Sequence, residues 1–478
     1  MTTAYTNDAA AAATSPLPDA PATQPHIAAF PAPWGAEERS DEGGSAPQLD
    51  NTAKSLREPL PLVSMVPRHS NEVADNSSED FVAEKQRQSR QAKRRNERWR
   101  LMDVLWQHSM LDRVRDCGRA VFTNDQYVEV RKTAGQVGYS GLATCGSVWA
   151  CPRCSAKIQA ERRAELEVLF GEVLDRGDVI VAFSTKTLRH KKGQDLHMLW
   201  GVMNAAAAAV GNATKPKRIK AELGHIGYIR NTEVTFGGNG WHPHIHAIHL
   251  FDKETMLEGY DPAIHEDMNV FIQQKLDALA DAEFSLWKTT AKKRGLGQPL
   301  RKHSRMDLVT EIEPLIDYMT KSDADQALLE ANKKNSQSVN FEMTSKMSKQ
   351  GRQGSRTPWQ ILADFRDSGD MDDLALWNEY EMASKGRRFL VWSKGLKEQF
   401  LIEDKEDEEI AEEVIGSEED TVFWISDWQP MREDSELAGR LLNVVQAGGL
   451  DAALAFCRRY GVPHTTEPPA GRQVACAA

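Results

Sequence analysis

The stretch "GGNGWHPHIHAIHL" (237–250) carries four histidines, and three of them, His242, His244 and His246, fall on alternate residues. Strand side chains alternate between faces, so these three imidazoles share one face of any strand built here, while His249 has the opposite parity. The preceding run "HIGYIRNTEVTF" (225–236) also reads as a strand, and Gly238-Asn239 suits a two-residue hairpin turn whose residues tolerate positive φ. In that register Glu233 lies opposite His244 and Thr235 opposite His242. Directly opposed Cβ atoms are about 5 Å apart, so one cation can touch His244, His246 and Glu233 together. His242 is the alternative third ligand, and spacing does not decide between it and Glu233. Ligand type alone does not choose among Mn²⁺, Mg²⁺ and Zn²⁺. Such a centre either activates a bound water or acts as a Lewis acid on a phosphate attacked by a side chain. The common hydrolase pattern adds an Asp shortly after the second His; here "AIHL" follows His246.

A side-chain nucleophile is available. "EIEPLIDYMTKS" (311–322) places Tyr318 and Lys321 three residues apart, on one face of a helix that begins with Pro314. A phenol with a pKa near 10 needs positive charge beside it to attack at neutral pH, and Lys321 and a cation would supply it.

A second metal-binding pattern lies upstream. "CGSVWACPRC" gives Cys145, Cys151 and Cys154, and Cys117 precedes them. Four thiolates with a Cys-x-x-Cys knuckle suit a closed tetrahedral Zn²⁺ site. Cys457 and Cys476 stand apart and are read as incidental.

These groups must be carried by a scaffold. "DVIVAFSTKTL" (178–188) reads as a buried strand, 196–213 as a helix, 263–291 as a helix, 306–312 as a strand and 314–322 as a helix. The order strand, helix, strand, strand, helix, strand, helix implies an α+β domain with an antiparallel sheet and helices on one face. The net charge of −11 conceals an uneven distribution: residues 1–84 carry −9, 403–420 carry −10 and 421–478 carry −1, leaving +9 on 85–402. A basic body between acidic appendages suits a nucleic-acid partner. The run "KQRQSRQAKRRNERWR" (85–100) fits a solvated helix or a phosphate-tracking arm equally well. The reading is therefore a disordered acidic region (1–84), a basic arm and four-Cys region (85–175), a catalytic domain (176–325), an accessory region (326–402), an acidic linker (403–420) and a small C-terminal tail (421–478). No apolar run spans a bilayer, no secretory signal is apparent and no phosphate-binding loop is present, so a cytoplasmic protein without its own ATP motor is expected.

"HPHIH" followed by "YMTK" resembles the HUH endonuclease superfamily, and specifically rolling-circle plasmid replication initiators. "FSTKTLRH" (183–190) is similar to their first motif, and "RTPWQIL" (356–362) and "LWNEYEMASKGRRFLVWSKGL" (376–396) to the C-terminal part of actinobacterial-type members. The resemblance covers roughly residues 110–400. It implies an RRM-like (ferredoxin-like) sheet carrying the metal, with Tyr318 on a facing helix as the nucleophile that forms a 5′-phosphotyrosine. It also implies binding to double- and single-stranded plasmid origin DNA and reliance on a host helicase and polymerase. Relaxases and single-strand transposases share this chemistry, and a catalytically inert zinc-stabilised DNA-binding regulator is the non-enzymatic alternative. Initiators of this type often carry a carboxylate one turn before the tyrosine. Position 314 is Pro, and Glu313 and Asp317 are the nearest acids.

Overall fold

The computed structural model describes residues 77–123, 126–133, 135–265, 267–312 and 355–469. Glu313, Tyr318 and Lys321, and with them the helix expected at 314–322, lie outside the described residues. The described part is a mixed α+β structure with two antiparallel sheets.

The larger sheet has five strands in the order β6-β3-β5-β4-β7, where β3 is Val179–Thr187, β4 His225–Gly237, β5 Gly240–Asp252, β6 Ser304–Leu308 and β7 Leu390–Trp392. The Leu196–Asn212 and Thr214–Glu222 helices connect β3 to β4, and the Met268–Lys293 helix connects β5 to β6. Side-chain caps start the longer helices. Asp195 accepts from the Met198 amide, and Asp267 accepts from Asn269 and Val270. Ile180, Ala182, Phe251 and Met306 on one sheet face pack with Ile272, Leu276 and Leu279 of the Met268–Lys293 helix. The opposite face supplies Val181, Ile248 and Leu250 to a second, larger core that also holds Leu166, Leu169 and Phe170. At this end both faces are therefore buried, whereas helices were expected on one face only.

The smaller sheet was not anticipated. Its order is β2-β1-β8-β9, with β1 Val128–Lys132, β2 Val137–Ser140, β8 Thr421–Ile425 and β9 His464–Thr465. Residues 421–469 are thus no separate tail: Val130 pairs with Phe423, and the Ser435–Tyr460 helix packs on the Ser77–His108 helix. That helix begins inside the region expected to lack structure. Part of its basic run serves this packing. Arg95 donates to Gln446 at 2.9 Å, Arg100 pairs with Glu436 at 2.8 Å, and Glu97 pairs with Arg366. Nor is the acidic 403–420 segment a free linker. Asp407 pairs with Arg162 at 2.7 Å, and Ile410 is buried.

Beneath the helix-covered face of the larger sheet sits a buried ionic network. The Glu283 carboxylate is 1% exposed and bridges Lys186 at 2.7 Å and Lys220 at 2.8 Å. Burial pushes its pKa up, but the two lysines outweigh burial and hold it below the usual carboxylate range. The His249 ring lies beside this network, 3.1 Å from Ser184 Oγ and 3.2 Å from His225 Nε2. Burial, then Lys220, pushes His225 down to about 4, so it is neutral at neutral pH. Removing one partner of a buried charge set strands the others. Glu283→Gln is expected to cost about 3–5 kcal/mol in urea unfolding, and a loss below about 1 kcal/mol would contradict this account. A depressed histidine pKa removes stability as pH falls from the unfolded value near 6.5 toward about 4. The urea midpoint should decline through that window.

Candidate metal centres

The β4–β5 hairpin has the register inferred from the sequence. Glu233 pairs with His244, Thr235 with His242 and Gly237 with Gly240. The turn differs in one respect. Gly240 is the left-handed residue, at φ 85°, whereas neither Gly238 nor Asn239 has positive φ. A tight turn followed by a left-handed glycine lets the strands keep their twist. A Cβ on Gly240 would also lie 3.3 Å from Lys192 Cα.

This register brings Glu233, His244 and His246 together, with one donor atom from each within 4.8 Å of the others. Glu233 Oε2 lies 3.1 Å from His244 Nε2 and 3.4 Å from His246 Nε2. Nitrogen and oxygen ligands about 2.0–2.2 Å from one ion are separated by roughly 3.0–3.5 Å, so the set fits a single cation. The hydrogen bonding points the same way. His244 Nδ1 lies 3.2 Å from the His242 carbonyl, which can only accept, so Nδ1 carries a hydrogen. In the neutral ring Nε2 then presents a lone pair to a carboxylate oxygen. Two acceptors facing each other at this distance need positive charge between them.

His246 Nδ1 is 3.1 Å from Thr185 Oγ1, and its ring stacks on Phe183 with centroids 5.3 Å apart. A partner on the second ring nitrogen fixes a ligand's orientation and tautomer. Burial pushes His246 down to about 4, with partial opposition from Glu233. Burial raises Glu233, but His244 and His246 outweigh it and hold the carboxyl below its usual range. The cluster therefore offers a carboxylate and a neutral His246 imidazole at neutral pH. Among the described residues these groups can bind a metal ion, and the geometry does not select which.

His242 shares the sheet face but turns elsewhere. Its Nδ1 lies 3.4 Å from His190 Nδ1, in the loop after β3. Burial first, then His244, pushes His242 down to about 3. Of the two candidates for third ligand, the structure groups Glu233 with His244 and His246 and pairs His242 with His190. Sequence spacing flagged the three donors but gave no sign of Thr185 or Phe183. Their roles depend on β3 lying beside β5, with Thr185 opposite His246.

The second centre joins Cys117, Cys145, Cys151 and Cys154, all four buried. Sulfur–sulfur separations are 3.5 Å for Cys117–Cys151 and 3.7 Å for both Cys117–Cys154 and Cys145–Cys154. Four thiolates about 2.3 Å from a tetrahedral Zn²⁺ lie about 3.8 Å apart, so the donor set fits that ion. Cys151 caps the Pro152–Arg176 helix, whose N-terminal dipole favours thiolate. Arg153 Nη1 is 3.5 Å from Cys117 Sγ, and its guanidinium lies over the Trp99 ring. The indoles of Trp106 and Trp428 donate to the carbonyls of Cys117 and Gly118 at 2.9 and 3.0 Å. Cys457 is free and buried away from this cluster, and Cys476 lies outside the described residues.

Two measurements check these centres. In Mn²⁺ calorimetry, Glu233→Gln should weaken binding at least tenfold and Thr185→Val about tenfold, while His242→Ala changes it less than about threefold. A larger loss in His242→Ala than in Glu233→Gln would reverse the ligand assignment. Purified protein should hold one equivalent of zinc that Cys154→Ser cannot retain. That variant should lose at least about 3 kcal/mol of stability, a fraction of what a structural zinc contributes. A zinc-free wild type of equal stability would contradict this.

No family model matches the chain, and no solved structure matches it. Over 309 residues, 57% of this chain, it is 26% identical to "Protein rep" of Streptomyces lividans, covering 66% of that protein. Over 152 residues, 26% of this chain, it is 34% identical to a "Neomycin resistance protein" of Streptomyces cyanogenus, covering 34% of that protein. In both cases the match spans less than two thirds of the relative's own length. No described helix is long and apolar enough to cross a membrane.

Proposed function

We propose that this chain is a plasmid replication protein that initiates rolling-circle replication as an HUH-type nuclease. The observation that carries the reading is the Glu233–His244–His246 donor set on one face of an antiparallel sheet. The similarity to a protein named rep supports the replication role. Glu233, His244 and His246 would hold a divalent cation, Mn²⁺ or Mg²⁺, which when bound polarises a phosphodiester and neutralises its charge. Thr185 and the His242 carbonyl keep both imidazoles aimed at that position.

Tyr318 is the proposed nucleophile. Its phenolic oxygen forms a bond to phosphorus and the P–O3′ bond breaks. The tyrosine proton leaves to a base or solvent, and the departing oxygen takes up a proton to become a free 3′-hydroxyl. Phosphodiester energy is retained in the 5′-phosphotyrosine, so the strand can be rejoined. Lys321 is the candidate positive charge that would favour the phenolate, and Glu313 is the candidate carboxylate for activating water at termination. The substrate is the plasmid's double-strand origin, and the 3′-hydroxyl primes a host polymerase behind a host helicase. The Cys₄ centre binds Zn²⁺ and has a structural role. A relaxase or single-strand transposase would use the same chemistry on different DNA.

The test uses DNA from the replicon that carries the gene. Wild-type protein with Mn²⁺ should give a covalent DNA–protein adduct on a denaturing gel. EDTA should abolish it, and Tyr318→Phe should reduce it on the order of 10³-fold or more. Nicking that survives Tyr318→Phe would exclude this nucleophile. DNA binding without any nicking would favour an inert DNA-binding regulator.

A further inference from the structure

The sheet end that carries the metal centre is crowned by two segments without a single acid. Residues 187–194 and 284–306 contain ten Lys and Arg and no Asp or Glu. They are distant in sequence and adjacent in space. Arg189 bridges to Gly297, Trp287 Nε1 donates to the Thr187 carbonyl at 2.8 Å, and Thr187 Oγ1 donates to the His303 carbonyl at 3.3 Å. Lys192 lies against the hairpin turn at Gly240, and His190 touches His242. Thr187 pairs with His244, so four extended residues, about 13 Å, separate the metal row from Lys191.

Three positively charged side chains of the crown have local explanations. Arg301 pairs with Asp281, Arg305 with Asp307, and Lys288 lies over Phe284. Seven do not: Arg189, Lys191, Lys192, Lys292, Lys293, Arg294 and Lys302 are exposed and form no ion pair with a described residue. A helix C-terminus favours cations, which accounts for Lys292 and Lys293. It does not account for Lys191, Lys192 or Lys302, which lie in other segments.

We propose that this crown grips the phosphate backbone of double-stranded DNA beside the metal centre. The inference rests on the nuclease reading for its setting, and its binding step is independent of catalysis. Concentrated unpaired positive charge matches a polyanion. Leu300 is the one exposed large apolar side chain of the crown. A protein partner would call for an apolar centre, and a single strand for aromatic platforms on which bases stack. The crown has no apolar centre, and its large aromatics are occupied, Trp287 buried and Phe284 beneath Lys288, so it follows a duplex by charge and without reading sequence.

The experiment measures binding of a 30-base-pair duplex in EDTA as a function of salt. The variants are Lys191→Gln/Lys192→Gln/Lys302→Gln and, away from the crown, Lys385→Gln/Lys394→Gln. Each phosphate contact contributes about 0.9 to the slope of log K against log salt. The crown variant should lose about 2.7 of that slope with an unchanged melting temperature, and the control should lose almost none. An unchanged slope in the crown variant overturns the proposal, as does an equal loss in the control. Tighter binding of a single strand than of the duplex overturns the duplex assignment. Nicking of a single-stranded oligonucleotide by the wild type is assayed separately. A failed nuclease with an intact slope difference therefore leaves the crown standing, and the reverse leaves the nuclease standing.

Discussion

The β4–β5 register decides what this sheet can do. A slip by one residue would carry His242, His244 and His246 to the face that packs on the Met268–Lys293 helix and bring His249 to the opposite one. The turn resists that slip. Gly240 combines a left-handed backbone with close approach of the Lys192 backbone, two conditions that no residue with a Cβ meets without strain. Once the register is set, Glu233 falls opposite His244 and Thr185 opposite His246. Each imidazole then has a partner for Nδ1 and turns Nε2 toward one carboxylate oxygen. Glu233 and the two imidazoles gather where a cation fits because the backbone leaves them few other arrangements.

The two faces of the sheet solve opposite electrostatic problems. On the helix-covered face, Glu283 meets two lysines and its charge is internally balanced. On the other face, Glu233 meets His244 and His246, and burial disfavours a proton on His246, so a carboxylate beside a neutral imidazole suits a cation from outside. His249 and His246, three residues apart, illustrate the contrast. One is held in a chain with Ser184 and His225; the other is aimed at Glu233. The Cys₄ cluster solves a topological problem. It joins segments distant in sequence whose backbones also pair beside it, Gly118 donating to the Ala143 carbonyl, and the Trp106 and Trp428 indoles fasten Cys117-Gly118 from either side. The C-terminal helix and β8 thus belong to the same body as the cysteines.

Local rules make the metal-bearing part legible in the sequence. Side-chain parity, a glycine-rich turn and alternating histidines are enough to place the strands, their register and the Glu233 pairing. Cysteine spacing marks the four-thiol cluster in the same way. Local rules fail where the determining contacts are remote. The smaller sheet pairs Val130 with Phe423 through strands of five residues, too short and too far apart to show periodicity. The acidic run at 403–420 reads as a solvated linker because its charge hides Ile410 and its pairing with Arg162. Even the hairpin holds a local surprise: strand twist moves the left-handed residue from the turn itself to Gly240. The place of His242 depends on His190, which spacing alone does not bring near.

The central claim is that two imidazoles and one carboxylate hold a single cation. Crystals grown with Mn²⁺ and measured for anomalous scattering at the manganese edge test it directly. The account predicts one peak about 2.0–2.3 Å from Glu233, His244 Nε2 and His246 Nε2. A peak held by His190 and His242 without Glu233, or no peak at saturating Mn²⁺, would contradict it.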